Sequence, residues 1–232
     1  MRKFKIEESP FGDVKIFCKS TVTFKTGITV LTGCNGAGKT TLLRSIKRSL
    51  DADRIPFMSI DNLKEGGGNA IDVMMYKGDT ELAANMITAS EGEGISLNLG
   101  YFFRNVDYFI RTGQDKNHPF KYINFNSGNY KEEKEKIESE LEANKERWLL
   151  FDACDSGLSI DMIADLKEVF DLVLSPEGTH WKDVYIIVTA NSYEMAANQN
   201  CYDVAKGQFY VPTSYEEYKD RILESRKRKN NR

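Results

Sequence analysis

The chain has 232 residues, of which 41% are hydrophobic and 29% charged, and its net charge is −3. It is long enough to bury a sizeable core, and we expect residues 1–232 to form a single domain. The acidic balance provides no general attraction to nucleic acid or anionic lipid. Four cysteines and two histidines lie far apart, so the sequence indicates neither a zinc site nor a disulfide framework.

The apolar runs are short. The longest, such as VYIIV, fall far below the length of a membrane span, and MRKFKIEESP lacks the apolar centre of a secretion signal. We therefore expect no membrane insertion and a location in the cytoplasm of whichever cell makes the protein. The basic segment RKRKNNR leads us to expect a flexible, solubilising tail over residues 225–232.

The first part of the chain predicts strands, a glycine-rich turn and then a helix. Short apolar or alternating runs within residues 1–31, namely FKI, VKIF, VTF and ITVL, are typical of strands. The next segment places Leu42, Leu43, Ile46 and Leu50 on one face of a helix. Further on, IPFMSI predicts a strand, KEGGGN a loop, and residues 71–87 a strand followed by a helix.

The middle of the chain changes character after an apolar helix. A buried helical face is predicted between Ile95 and Ile110. The residues on this face are Ile95, Leu99, Phe102, Phe103, Val106 and Phe109. Residues 111–147 are first polar and then highly charged, ending in a predicted helix with a narrow apolar stripe of Ile137 and Leu141. We interpret residues 111–147 as an insertion or arm, which either stays solvated or binds an unidentified protein partner.

The last part of the chain alternates apolar strands with helices. WLLF and VYIIVTA are apolar on both faces, whereas DMIADLKEVFDLVL and SYEEYKDRILESRKRK have the pattern of helices. Strands that bury both faces and alternate with helices indicate a mainly parallel sheet that helices cover on each side. The sequence therefore predicts the α/β class.

The clearest motif is GCNGAGKTT, which lies between an expected strand and an expected helix and satisfies G-x-x-x-x-G-K-[ST]. Its glycines let successive backbone N–H groups converge on phosphate oxygens at a helix N-terminus. We expect Lys39 to bind the β and γ phosphates of ATP and the Thr40 hydroxyl to bind Mg²⁺. The predicted nucleotide-binding residues of this loop are Gly33, Asn35, Gly36, Ala37, Gly38, Lys39, Thr40 and Thr41.

With Asn35 and Gly36 followed by KTTLL, the loop resembles that of ABC-type ATPases. This superfamily includes transporter motors and the SMC, RecF and RecN DNA-maintenance proteins. The resemblance covers about residues 12–110 and 148–210. It implies a P-loop NTPase fold of ABC type, with an N-terminal antiparallel strand region and a head-to-tail homodimer closed by ATP. It leaves the charged helical insertion at 111–147 and the basic tail unexplained. More narrowly, DACDSGLSID with VTANSYE is similar to small stand-alone ATPases of phage and bacterial genomes.

The resemblance also implies roles for residues beyond the loop. Asp152, which ends WLLFD, would hold magnesium, and DSGLS at 155–159 resembles the D-loop that crosses the dimer interface. SEGE differs at one position from the family signature S-G-G-[EQ], so Ser90 and Gly92 would bind the γ-phosphate held by the opposite subunit. A rival signature is NSGN with Ser127, which precedes a charged rather than an apolar helix.

Two positions depart from the family pattern. Ala153 replaces the usual catalytic glutamate, and Asn191 stands where a histidine is usual. Because alanine cannot accept a proton, general-base help must come from elsewhere or be absent. Asp155 lies on the same turn and is either the displaced catalytic carboxylate or a turn-capping residue. Asn191 can hydrogen-bond a γ-phosphate but cannot carry a proton.

Two main hypotheses follow. In the first, ATP closes a homodimer and slow hydrolysis drives or times a soluble partner process. In the second, which Ala153 favours, the protein is a nucleotide-gated interaction module with little or no hydrolysis. A transporter motor fits less well, because no glutamine after IPFMSI matches the family's Q-loop and the insertion is long. A DNA-related role is compatible with the resemblance, but the acidic charge gives it no independent support.

Overall fold

The protein is described by a computed structural model over residues 1–7, 15–61, 91–116 and 130–231. The strands are β1 (Arg2–Lys5), β2 (Thr21–Phe24), β3 (Gly27–Thr32), β4 (Phe57–Asp61), β5 (Glu146–Asp152), β6 (Asp183–Thr189), β7 (Asn200–Asp203) and β8 (Gln208–Tyr210). The helices are α1 (Lys39–Ala52), α2 (Glu91–Arg104), α3 (Val106–Thr112), α4 (Tyr130–Ala143), α5 (Ile160–Leu174), α6 (Pro176–Thr179), α7 (Tyr193–Ala196) and α8 (Tyr215–Asn230).

One sheet organises the described residues, with its strands in the order β4-β5-β6-β3-β7-β8. Its neighbouring strands pair in parallel except for β7 and β8, which are antiparallel. β1 and β2 form a separate antiparallel pair. The predicted α/β class and mainly parallel sheet are therefore confirmed, and the carboxyl ends of β3, β5 and β6 lie at one edge.

Both faces of this sheet are covered, as its apolar strands predict. In β5, Trp148 and Leu150 pack towards α1 and the β1–β2 pair, whereas Leu149 and Phe151 pack towards α2, α3 and α5. All four side chains are fully buried, and burying each contributes roughly 1.5–3 kcal/mol. Trp148 also stacks on Tyr185 of β6, with 4.1 Å between the ring centroids. This packing holds the strand ends that carry the polar site.

The predicted helix from Ile95 to Ile110 is two helices, α2 and α3. The break is at Asn105, whose N–H donates to the carbonyl of Phe102 at 3.1 Å in a tightened last turn. Phe102 of α2 and Val106 of α3 are nevertheless both buried. The apolar pattern therefore identified the buried face correctly, but it could not indicate a break of one residue.

The strand predictions were wrong or incomplete at two places. Residues 15–17, the described part of VKIF, contain no strand. Phe17 is instead buried beneath the glycine-rich loop, where a Cβ on Gly38 would lie 3.1 Å from its ring. β7 and β8 were not predicted, because they are short and lack a clear apolar alternation.

The boundaries expected for the insertion at 111–147 also need correction. α3 ends at Thr112, and β5 begins at Glu146, so the last two residues of the expected insertion belong to the core sheet. Ile137 and Leu141 of α4 are buried at 7% and 8% exposure. The charged helix therefore packs on the core through its narrow stripe. Residues 117–129 lie outside the described residues.

Arg147 is the residue that ties α3 and α4 to β5. Its side chain is fully buried. The guanidinium donates to the backbone carbonyls of Ile110 at 2.7 Å, Asn144 at 2.7 Å and Glu146 at 2.9 Å. Burial lowers the pKa of Arg147 to about 10, so the group stays charged at neutral pH and its hydrogen bonds are charge-assisted.

The basic C-terminal segment is not a flexible tail over residues 225–230, because it belongs to α8. Ser214 caps this helix by accepting a hydrogen bond from the N–H of Glu217 at 3.2 Å. Lysine and arginine residues in its last turn complement the negative end of the helix dipole. Ser225 is fully buried. Within the described ranges, we find no helix with the length and apolar character needed to cross a bilayer.

Candidate nucleotide site

The loop between β3 and α1 has the backbone geometry of a phosphate cradle. Gly33, Gly36 and Gly38 have φ angles of 141°, 77° and 107°, which other residues rarely adopt. Gly38 immediately precedes α1, so the loop curls directly into a helix N-terminus. The N–H groups and the positive end of the helix dipole both favour an anion here.

Lys39 lies inside this curl with only 9% of its surface exposed. Its ammonium donates to the carbonyl of Gly33 at 2.8 Å, to that of Cys34 at 3.4 Å and to Oδ1 of Asn191 at 2.8 Å. Burial lowers the pKa of Lys39, and nearby acidic groups including Asp155 oppose that shift. A buried, pre-oriented cation is therefore available for phosphate oxygens.

A second polar group lies at the end of β5. Oδ1 of Asp152 accepts hydrogen bonds from Thr40 at 3.0 Å and from Thr189 at 2.6 Å. Asp152 is 8% exposed, and Thr189 ends the neighbouring strand β6. Thr40 and Asp152, the predicted magnesium ligands, are thus in direct contact. Their hydroxyl and carboxylate oxygens are ligands that Mg²⁺ prefers.

Thr189 was missed by sequence reasoning. Its hydroxyl donates to Asp152 and also accepts the N–H of Ala153 at 2.7 Å. It therefore orients the carboxylate and the following turn together. A threonine at the end of an apolar strand was the only available signal, and such residues are too common to identify a site.

The turn after Asp152 adopts an unusual backbone conformation at Ala153, with a φ angle of 52°. Cys154 follows with its N–H donated to the carbonyl of Thr189 at 3.1 Å, and burial raises the pKa of its thiol. The methyl group of Ala153 supplies no proton acceptor. The next polar side chain on this turn is that of Asp155.

Asp155 has one engaged and one unpartnered carboxylate oxygen. Oδ2 accepts the backbone N–H groups of Asn191 at 2.8 Å and Ser192 at 2.5 Å. Among the described residues, Oδ1 is buried and has no hydrogen-bond partner. An ionised oxygen without a partner is costly to bury, so this atom is suited to a ligand, a water molecule or a metal-bound group.

Asn191 connects the two turns. Its side chain accepts from Lys39, its backbone N–H donates to Asp155, and its carbonyl accepts the hydroxyl of Tyr218 at 2.8 Å. The structure therefore brings Lys39, Asp155 and Asn191 together, although Lys39 and Asn191 are 152 residues apart in the sequence.

Comparison with known proteins agrees with this geometry. A family model of AAA domains, AAA_23, matches residues 13–228. The chain belongs to the AAA_23 family. Members of this SMC/RecF-like family are P-loop ATPases, and a P-loop ATPase fits the mainly parallel α/β fold. A search of curated proteins finds no match.

The remaining predicted residues of this AAA domain are only partly described. Gly92 lies in the first turn of α2, while Ser90 and its rival Ser127 lie outside the described residues. In the described ranges, no group of three or more histidine, cysteine, aspartate or glutamate residues could hold a metal ion. The pair of Thr40 and Asp152 is compatible with Mg²⁺, which keeps several water ligands and needs few from the protein.

A cleft of about 540 Å³ opens beside the phosphate loop of the AAA domain. Gly33, Cys34 and Asn35 line one side, and Asn191 lies at the carboxyl edge of the sheet. The opposite wall is α8, whose last turn contains the basic residues Lys227, Arg228 and Lys229.

Proposed function

We propose that this AAA domain is an ABC-type ATPase that binds MgATP and hydrolyses it slowly to drive or time a soluble partner process. The observation that carries the proposal is the buried, unpartnered oxygen of Asp155. It lies on the turn that also contacts Asn191, the partner of Lys39. A phosphate-binding cation and an available proton acceptor are thus linked through one residue.

The magnesium site is proposed at Thr40 and Asp152. The ion, when bound, neutralises negative charge on the phosphates. Thr189 positions Asp152 by donating its hydroxyl to Oδ1, the same oxygen that accepts from Thr40. An outer hydrogen bond of this kind fixes the direction of a metal-binding carboxylate.

Lys39 would bind the β and γ phosphates of ATP. Its two hydrogen bonds to loop carbonyls and a third to Asn191 orient the ammonium before phosphate arrives. Because the group is buried, its attraction to phosphate is less screened by water than that of a surface lysine. Asn191 holds it from the opposite side through a neutral amide oxygen.

Asp155 would accept the proton of the attacking water through Oδ1. Its other oxygen is held by two backbone N–H groups, so the carboxylate cannot turn freely. Phosphoryl transfer relies largely on positioning and charge stabilisation. A general base at residue 155, instead of a glutamate at residue 153, is therefore compatible with slow turnover.

The second candidate function is a nucleotide-gated interaction module with little or no hydrolysis. Ala153 favours it, because its methyl group cannot hold a water and its backbone N–H is already donated to Thr189. In this alternative, Asp155 only holds the turn by accepting the backbone N–H groups of Asn191 and Ser192.

The test of the proposed site is MgATP binding followed by single-turnover hydrolysis at high protein concentration. Lys39→Ala should weaken MgATP binding roughly 10- to 100-fold, because it removes charge-assisted hydrogen bonds. Arg48→Ala, which removes an exposed cation from the same helix, is the matched control. Unchanged affinity in Lys39→Ala would reject the site, whereas tight binding without hydrolysis would favour the interaction module.

We further propose that ATP closes a head-to-tail homodimer, with Ser90 and Gly92 reaching the opposite nucleotide. The position of Gly92 in the first turn of α2 supports this role, because helix N-termini attract phosphate. Ser90→Arg should abolish ATP-dependent dimers in analytical ultracentrifugation and leave monomer binding intact. The same result with Ser127→Arg instead would move the signature to residue 127. A cytoplasmic location, a protein partner for residues 111–147 and a relationship to phage ATPases remain predictions.

A further inference from the structure

Helix α8 is attached to the phosphate loop at two points. Oγ of Ser225, a fully buried residue, accepts the backbone N–H of Cys34 at 3.1 Å. One turn further on, the ammonium of Lys229 donates to the carbonyl of Asn35 at 3.0 Å. The basic end of the helix therefore lies directly on the loop.

Helix α8 lies so close to the loop that it leaves little space for side chains at two of the loop glycines. A Cβ on Gly33 would lie 3.3 Å from Oγ of Ser225, and one on Gly36 would lie 2.8 Å from the ammonium of Lys229. The Lys229 side chain therefore lies against the backbone of the phosphate loop.

Two cations of α8 line the cleft of about 540 Å³, namely Arg226 and Lys229. In the part of the chain that the structure describes, the guanidinium of Arg226 has no hydrogen-bond or ion-pair partner. The ammonium of Lys229 donates there only to a neutral carbonyl, that of Asn35. The wall opposite the phosphate loop therefore presents two positive charges without an acidic partner, which is complementary to a polyphosphate.

The position of the cleft indicates which phosphate these cations face. The cleft is lined by Gly33, Cys34 and Asn191, the three partners of the Lys39 ammonium. The lysine of such a loop reaches the β and γ phosphates. The cleft therefore opens at the terminal-phosphate end of the nucleotide rather than at the base.

We propose that α8 is the second wall of the nucleotide site and that Arg226 and Lys229 bind the terminal phosphate of ATP held by the same chain. This inference rests on the proposed ATP site. It makes the C-terminal helix a determinant of specificity for ATP over ADP, since ADP lacks the phosphate that the two cations face.

The same helix provides a matched control. Lys227 and Arg228 are exposed residues of α8 that do not line the cleft. The double variants R226A/K229A and K227A/R228A remove the same charge from the same helical turn. Only the first removes it from the side that faces the phosphate loop.

The experiment is titration of each variant with MgATP and with MgADP by isothermal calorimetry. R226A/K229A should bind MgATP about tenfold or more weakly, because two charge-assisted contacts are lost. Its affinity for MgADP should change by less than about threefold, and K227A/R228A should bind both nucleotides like the wild type. Arg226→Ala alone keeps the hydrogen bond of Lys229 to the loop. It should also weaken binding of MgATP more than that of MgADP, but with a smaller loss of MgATP affinity.

Other results would overturn the inference. Unchanged or tighter MgATP binding by R226A/K229A would show that α8 does not bind the phosphate, and tighter binding would mark it as an obstructing helix. An equal loss of MgATP affinity in both double variants would indicate a general effect of the positive charge on α8. Lys39→Ala separates these results from failure of the site itself, because its affinity for MgATP falls only if the phosphate loop binds the nucleotide.

Discussion

Two turns meet at the carboxyl edge of the sheet. Both contain positive φ angles, but at different types of residue. The loop after β3 has positive φ angles only at glycines, namely Gly33, Gly36 and Gly38, whereas the turn after β5 has one at Ala153. The first turn presents backbone N–H groups, and a Cβ at any of these glycines would lie within 3.0 Å of a neighbouring side chain. In the proposed function, the second turn presents a carboxylate, that of Asp155. The proposal therefore assigns phosphate binding to the first turn and proton transfer to the second.

Strand β6 couples the two turns. It lies between β3 and β5, and Asn191 just beyond it contacts Lys39 on one side and Asp155 on the other. The two turns therefore share Asn191 as a common hydrogen-bond partner. Variants that separate binding from hydrolysis test whether the division between the turns is real.

The largest effect is expected from Asp155→Asn. The amide oxygen can still accept the N–H groups of Asn191 and Ser192, but the amide nitrogen replaces the unpartnered oxygen and cannot accept a proton. We expect single-turnover hydrolysis to fall by about 100-fold or more, with MgATP affinity nearly unchanged. Asp165→Asn, an exposed carboxylate on α5, is the control. An undiminished rate would make Asp155 a structural residue of the turn.

Asp152→Asn should have the next largest effect. It removes the negative charge that Thr40 and Thr189 contact, and we expect Mg²⁺ affinity to fall by about 10- to 100-fold. The measurement is nucleotide affinity as a function of Mg²⁺ concentration. ATP binding without Mg²⁺ should be unaffected, and a variant that keeps the wild-type Mg²⁺ dependence would place the ion elsewhere.

Gly38→Ala tests the backbone turn. Its φ angle of 107° is unfavourable for alanine, and the added Cβ would lie 2.8 Å from the Ile16 side chain. We expect destabilisation of at least about 1–2 kcal/mol in urea unfolding, together with weaker ATP binding. Gly100→Ala is the control, because its added Cβ would meet nothing within 4 Å in a helix. Equal stability of the two variants would contradict the role of Gly38.

Ala153→Gly should have the smallest effect and the opposite sign. Glycine relieves the φ angle of 52° but increases the entropy of the unfolded chain. We expect a gain of at most about 1 kcal/mol in the free energy of unfolding. Ala164→Gly, in the interior of α5, should instead lose about 1 kcal/mol. A loss at residue 153 as large as that at 164 would mean that the turn is not strained.

Much of the site was predictable because it is encoded locally. The phosphate loop occupies consecutive residues, and its glycines have the backbone freedom that the curl requires. Asp152 was predicted as a magnesium ligand from the family resemblance and from its position at the end of an apolar strand. Thr189 and Ser225 were not identified, because their partners Asp152 and Cys34 are 37 and 191 residues away in the sequence. No short pattern records contacts over such distances.

The sequence by itself determined the α/β class, the buried face of α1 and the phosphate loop, since periodicity and glycine φ preferences act over a few neighbouring residues. Only the tertiary structure decided the strand order, the burial of Arg147 in β5 and the position of α8 on the loop. A basic segment is exposed or docked according to the balance between its solvation and contacts with distant residues. In α8, Ser225 and Tyr218 are buried against the core while the charged residues 226–229 stay exposed, so the helix docks without losing the solvation of its charges.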